Sequence, residues 1–173
     1  MTPNRRRGRS DYDEIAPWLP PQFDSILDIG CGGAWVDIFI AIKHGLKAVH
    51  LMDGETVGEK RNGFHDAGLP WWSVEPGAAR VRARTKAQVF THKPDPSLTI
   101  PVDVVMSLKS WAHHYPASHY LPLAQRSLSP GGLLIVDIRR DTDGERTIAD
   151  GGFQKIGSRE HGDKCQRVVY GRV

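Results

Sequence analysis

Residues 25–34 read Ser25-Ile26-Leu27-Asp28-Ile29-Gly30-Cys31-Gly32-Gly33-Ala34. Ile26, Leu27 and Ile29 form a short apolar run that predicts a buried strand, and residues 35–42 follow as an apolar segment rich in helix formers. Between them Gly30, Gly32 and Gly33 predict a tight loop with backbone angles that side chains forbid, leaving bare backbone for a ligand to press against. The first N–H groups of the helix point back into that space. Strand, loop and helix in this order point to a nucleotide or nucleoside.

Asp28 narrows the choice. A dinucleotide fingerprint G-x-G-x-x-G needs a third glycine where Trp35 stands, which puts a dehydrogenase well down the order. The spacing acidic-x-G-x-G-x-G fits Asp28, Gly30 and Gly32, with Ala34 in the last place. A carboxylate at a strand end suits an amino group better than a pyrophosphate.

On these residues the chain resembles the class I S-adenosylmethionine-dependent methyltransferases, to whose first motif D-I-G-C-G-G is similar. The resemblance implies S-adenosylmethionine as cofactor, with Asp28 facing the methionine ammonium and Gly30, Cys31, Gly32 and Gly33 lying under methionine and ribose. It also implies an α/β fold: a doubly wound, mostly parallel sheet of about seven strands with an antiparallel C-terminal hairpin. A second predicted strand, residues 48–52, ends at Asp53-Gly54. A carboxylate there is placed to accept ribose hydroxyls. Dehydrogenases share that geometry, so Asp53 and Gly54 support a nucleoside without choosing between them, and a surface turn is the plain alternative.

The 173 residues suit one domain. Lys plus Arg number 23 against 20 Asp plus Glu, a net charge of +3 that is too mild to argue for nucleic acid by itself. Arg5, Arg6, Arg7 and Arg9 cluster at the start, so residues 1–10 are expected to be a disordered basic end and 11–173 the folded domain. Cys31 and Cys165 allow neither a disulfide framework nor zinc spacing, and no metal site is legible. No apolar run reaches the roughly 18 residues of a membrane span. A cytoplasmic protein with no membrane partner is the expectation.

Further along, residues 11–19 predict a short helix in which Tyr12 and Trp18 pack rather than bind. Residues 55–86 are broken by glycine and proline; Trp71 and Trp72 are read as capping a core edge rather than walling a pocket, ahead of a helix reaching Thr85. Arg80, Arg82 and Arg84 are read as a solvated face. A third strand covers residues 87–91, and the resemblance puts His92, Lys93 and Asp95 beside the adenine. Val102, Val104 and Val105 predict a buried fourth strand, and residues 107–115 a loop beyond its carboxyl end. A helix from about Pro116, a strand ending near Asp137, a short helix over residues 144–150 and a hairpin turning at residues 161–164 complete the chain.

Ligands of open α/β sheets lie beyond the carboxyl ends of the strands, so the loop after the fourth strand and the Gly30 loop should face one crevice. Ser107 and Leu108 are assigned to the cofactor, and Lys109, Trp111 and Tyr115 to the substrate. A sulfonium methyl is already activated, so transfer to a hydroxyl needs an in-line nucleophile and a base. His113 and His114 are the candidate bases. The loop lacks both the Asn/Asp-Pro-Pro-aromatic tetrad of amino-methylating DNA enzymes and a Pro-Cys nucleophile. The string S-L-K-S-W-A-H-H-Y-P, followed by Tyr120-Leu121, looks like a pattern in sugar O-methyltransferases. O-methylation of a small hydroxylated acceptor is therefore expected. Two alternatives stay open: a nucleic-acid or protein methyltransferase with Arg5 to Arg9 as an electrostatic arm, and a cofactor-binding accessory subunit completed by a homodimer or another partner.

Overall fold

A computed structural model describes residues 2–56, 63–66 and 72–172. In chain order the elements are α1 (Pro3–Ile15), β1 (Ser25–Ile29), α2 (Trp35–His44), β2 (Ala48–Met52), α3 (Val74–Arg82), β3 (Gln88–His92), β4 (Val102–Ser107) and β5 (Ser110–Tyr115). They continue with a 3₁₀ turn (Ala117–His119), α4 (Leu121–Ser127), β6 (Leu128–Arg139), α5 (Gly144–Asp150), β7 (Phe153–Glu160) and β8 (Cys165–Arg172).

Seven of the strands form one sheet in the order β3-β2-β1-β4-β6-β8-β7. β1 pairs in parallel with β2 and β4, β2 with β3, and β4 with β6, whereas β8 runs antiparallel to both β6 and β7. This is the expected doubly wound sheet with its reversed last strand. The central strands read as continuous apolar runs because both faces are covered. Side chains alternate between two cores. Ile26, Val104, Met106 and Ile135 pack on the side of α1, α2 and α3, while Leu27, Val105, Leu134 and Val136 pack with Trp111, Leu123 and Ile148 on the other. The chain leaves β1 toward β2 on one side and reaches β4 on the other, so the crevice opens at the carboxyl ends of β1 and β4.

Two expectations are corrected. The basic start is not disordered: residues 3–15 are helical, and the helix expected over residues 11–19 begins earlier and ends at Ile15. Local forces account for this. The Thr2 hydroxyl accepts the Arg5 N–H at 3.4 Å, a proline sits in the first turn where no N–H is needed, and Arg9 pairs with Asp13 one turn on at 2.9 Å. Tertiary packing adds to it, since a Cβ on Gly8 would lie 2.5 Å from that of Trp35. The second correction concerns residues 110–115, expected as loop and found extended as β5. Ala112 within it (φ 62°) and Lys109 before it (φ 55°) adopt left-handed angles, sharp reversals that an apolar pattern does not signal. Tyr12 and Trp18 pack on the α1–α2 side, as expected.

Candidate functional site

A cleft of about 630 Å³ lies over the carboxyl ends of β1, β2 and β4. Its floor is the glycine loop. Gly30 has φ 76°, and a Cβ there would fall 1.9 Å from the Ser110 hydroxyl, so this position excludes any side chain on two counts. The loop hangs from β2: Gly30 N–H donates to the Met52 carbonyl at 2.7 Å. Asp53, just beyond β2, fastens it further, one carboxylate oxygen accepting Gly32 N–H at 2.8 Å and the other Gly54 N–H at 2.9 Å. Burial raises the Asp53 pKa, and the Gly54, Gly32 and Trp72 backbone N–H groups pull it back. The two oxygens together have capacity for a further donor beyond these backbone groups.

Asp28, 3% exposed on β1, also lines the cleft. With both acids ionised, one of its oxygens and both oxygens of Asp37, fully buried in the first turn of α2, find no donor among the described residues; the Asp28–Asp37 hydrogen bond needs a proton on one of the two. Burial, then the charge of Asp37, drives the Asp28 pKa well above the carboxylate range. Burial likewise raises Asp37 to about 6, opposed by a hydrogen bond from Asp28. The Cys31 thiol, raised by burial and by the neighbouring acids, stays protonated.

The opposite wall comes from the segment after β4, where Leu108, Lys109, Ser110, His113, His114 and Tyr115 face the cleft. Ser107 and Trp111 do not. The Ser107 hydroxyl donates to the Ile29 carbonyl at 2.7 Å and accepts Trp111 N–H at 2.9 Å, clamping β1 to the turn from beneath. Trp111, assigned to the substrate from sequence, is fully buried, and its indole N–H donates to the Ala117 carbonyl at 2.8 Å. The left-handed turns at Lys109 and Ala112 set which side chains point outward, and they send the tryptophan into the core. Gly54 serves the cleft only through Asp53.

Of the two histidines, His113 is 9% exposed, with Nδ1 buried and unpartnered among the described residues. Burial, then the adjacent His114, lowers its pKa to about 4, so it is neutral at pH 7. Its ring meets that of His114 edge-on, centroids 4.6 Å apart. His114 Nδ1 lies 2.9 Å from the Gly63 carbonyl. A carbonyl only accepts, so Nδ1 carries the hydrogen and the Nε2 lone pair is the basic one. Burial pushes the Tyr115 phenol up to about 12, and the hydroxyl of Ser110, 3.4 Å away, opposes the rise.

Other residues here escaped the sequence reading. Arg80 donates to the Gly33 carbonyl and stacks 4.7 Å over the Trp35 ring, so it belongs to the cleft rather than to a solvated face. Trp72 is 55% exposed and lines the cleft instead of capping a core edge; Trp71 lies outside the described residues. Pro94 reaches the cleft in place of the expected His92, Lys93 and Asp95. His92 instead meets His50 Nδ1 at 3.0 Å.

Along the rim, α1 contributes Arg7, Gly8 and Asp11. It is held there by Arg167, whose guanidinium binds Asp11 and Glu14, each at 3.0 Å, and both oxygens of Asp137 at 2.7 and 3.0 Å. Asp11, Glu14 and His161 come close enough together to hold a metal ion, but Arg167 already supplies the positive charge at their centre.

No family model and no curated protein matches the chain. Solved structures do. Magnesium protoporphyrin IX methyltransferase from Synechocystis PCC 6803, with bound SAH, aligns with 98% of this chain and 84% of its own at 16% identity and a TM-score of 0.66. A SAM-dependent methyltransferase from Aquifex aeolicus aligns with 94% of this chain and 90% of its own at 17% identity and 0.68. The protein PH0226 from Pyrococcus horikoshii OT3 aligns with 95% and 91% at 15% identity and 0.64. At these identities the likeness is one of fold, the Rossmann-like α/β fold that these structures share.

Proposed function

We propose that this protein is an S-adenosylmethionine-dependent methyltransferase that acts on a hydroxyl of a small molecule, with His114 as the base. The observation that carries the reading is the pairing, across one cleft, of a buried acid without an ion-pair partner among the described residues on the glycine-loop side with an oriented imidazole on the other. Solved methyltransferases of this fold, crystallised with SAM or SAH, supply the analogy for the cofactor.

The residues fit such a cofactor. Asp28 offers a carboxyl oxygen to an ammonium, the loop from Gly30 to Gly33 offers bare backbone, and the Asp53 carboxylate suits a ribose hydroxyl. When bound, the cofactor supplies an electrophilic sulfonium methyl. The protein's own part is to position the acceptor and take its proton. His114 Nε2 accepts that proton, while Nδ1–H to the Gly63 carbonyl holds the ring and steadies the imidazolium formed. His113 stays neutral above about pH 4 and packs edge-on against that ring, keeping the neighbouring charge at zero. The cleft volume of about 630 Å³ falls within the roughly 300–1,000 Å³ of small-molecule sites.

The nucleic-acid reading is the weaker one. Of the four early arginines, Arg9 pairs with Asp13 and Arg7 approaches Asp11, so the arm is partly neutralised within its own helix. The test is transfer of labelled methyl to a panel of hydroxylated acceptors. His114→Ala should lower kcat by about 10²–10³-fold with SAH affinity unchanged, and His113→Ala should do less. Full transfer by His114→Ala would remove the assigned base, and absence of any SAH binding would remove the reading as a whole.

A further inference from the structure

Asp37 has no place in the reading above, yet it is buried against a second acid, Asp28. It lies in the first turn of α2, fully buried, and its side chain meets Asp28 with no donor between them unless one of the two carries a proton. No lysine, arginine or histidine forms an ion pair with it or with Asp28 among those residues. Two carboxyl groups hydrogen-bonded to each other, buried and without a cation cannot both ionise. The charged and titratable groups facing Asp28 from neighbouring elements deepen the problem: Asp37 from α2, Asp53 beyond β2 and Asp11 from α1 are all acids. Cys31, in the loop between them, is a thiol held protonated.

We infer that Asp28 and Asp37 share a single proton in the unliganded protein, and that an ammonium entering the cleft beside Asp28 takes the place of that proton. The inference rests on the cofactor reading above and adds Asp37 as a positioning residue. The helix N-terminus favours the anion on Asp37, so the hydrogen sits on Asp28 and is donated to Asp37. An arriving ammonium brings three N–H donors, Asp28 ionises, and its proton leaves to solvent. The site's net charge is the same before and after: one negative charge on the pair, then two offset by the ammonium. Asp37 thereby makes the site selective for a ligand with a cationic amino group, because a neutral ligand leaves the proton where it is. Affinity for such a ligand should rise with pH, by up to about tenfold per unit, until the pair is ionised at rest.

The test is calorimetry of SAH binding near pH 6.5 in two buffers of different ionisation enthalpy, which counts protons. The wild type should release about one proton per SAH and none with 5′-methylthioadenosine, which lacks the amino acid. Asp37→Asn gives Asp28 an amide donor in place of an acid, so SAH should bind with little proton release. SAH bound without release by the wild type, or with equal release by the variant, overturns the inference while leaving the cofactor reading intact. Failure of SAH to bind overturns the cofactor reading instead. Infrared spectra of the unliganded protein judge the shared proton independently. The C=O stretch of a buried carboxylic acid should be present at neutral pH and absent in Asp37→Asn, and its absence from the wild type overturns the inference whatever the ligand does.

Discussion

Asp28 and Asp137 occupy equivalent places, each near the carboxyl end of a central parallel strand and each at most 3% exposed. Their surroundings are opposite. Asp137 accepts both forks of the Arg167 guanidinium and the Lys109 N–H at 3.1 Å, and the same arginine reaches on to Asp11 and Glu14. Asp28 has another acid for a neighbour and one oxygen unpartnered among the described residues. A buried carboxylate that carries its own cation builds structure: here it ties β6, β8, α1 and the turn after β4 into one unit. A buried carboxylate without a cation weakens the protein alone and repays that only when a cation arrives. On the proposed function, the difference separates the framework end of the cleft from its binding end.

The largest effect should follow from breaking the framework half. Burial alone would pull the Arg167 pKa down, but hydrogen bonds and charge from Asp137 more than offset it and the guanidinium is fixed as a cation. Arg167→Met leaves Asp137 buried and uncompensated, and should cost about 3–5 kcal/mol in urea unfolding. The Arg167→Met/Asp137→Asn double variant should recover a good part of that. A loss below about 1 kcal/mol for the single change would mean that Asp137 is not framework at all.

The binding half should respond the other way round. Asp28→Asn removes an acid that the folded protein holds at a cost, so its melting temperature should equal or exceed the wild type's, while SAH affinity should fall by about 2–4 kcal/mol. Unchanged affinity in calorimetry would collapse the distinction between the two aspartates from this side.

Much of this half was legible in residue order. The run from Ile26 to Gly33 gives strand, loop and ligand side together, because a buried apolar run and a glycine cluster depend only on local geometry. Asp53 follows from its place at the next strand end. What stayed hidden depends on contacts distant in sequence. Nothing near Arg80 says that it will fold over Trp35 and reach Gly33, since 47 positions separate donor from acceptor. Nothing near Arg167 says that its partners lie 30 to 156 positions away. Trp111 was misplaced because its direction is set by left-handed turns at Lys109 and Ala112, residues without the glycine or asparagine that normally signals such angles. The basic start was read from charge alone, although Arg7-to-Asp11 and Arg9-to-Asp13 spacing already matched a helix.

The smallest predicted effect is the most diagnostic of the binding half, because it asks whether Asp37 behaves as an acid held against its preference. Its pKa is raised by burial from an ordinary 3.8 to about 6, so between those values the folded protein holds more proton than the unfolded chain. The stability this confers is fully present below about pH 4 and is lost as pH rises through about 6. His50 and His113, each lowered by burial to about 4, act with the opposite sign: their contribution is present above the ordinary histidine range and is lost as pH falls toward 4. Both histidines are retained in Asp37→Asn, so their terms cancel in the difference between wild type and variant. That difference reports on the linked Asp28–Asp37 pair. Asp37→Asn should be no more stable than the wild type near pH 4, and should gain on it by about 2–3 kcal/mol above pH 7, as read by urea unfolding. A difference that does not change with pH would mean that folding draws no extra proton onto the Asp28–Asp37 pair, leaving none for an incoming cation to displace.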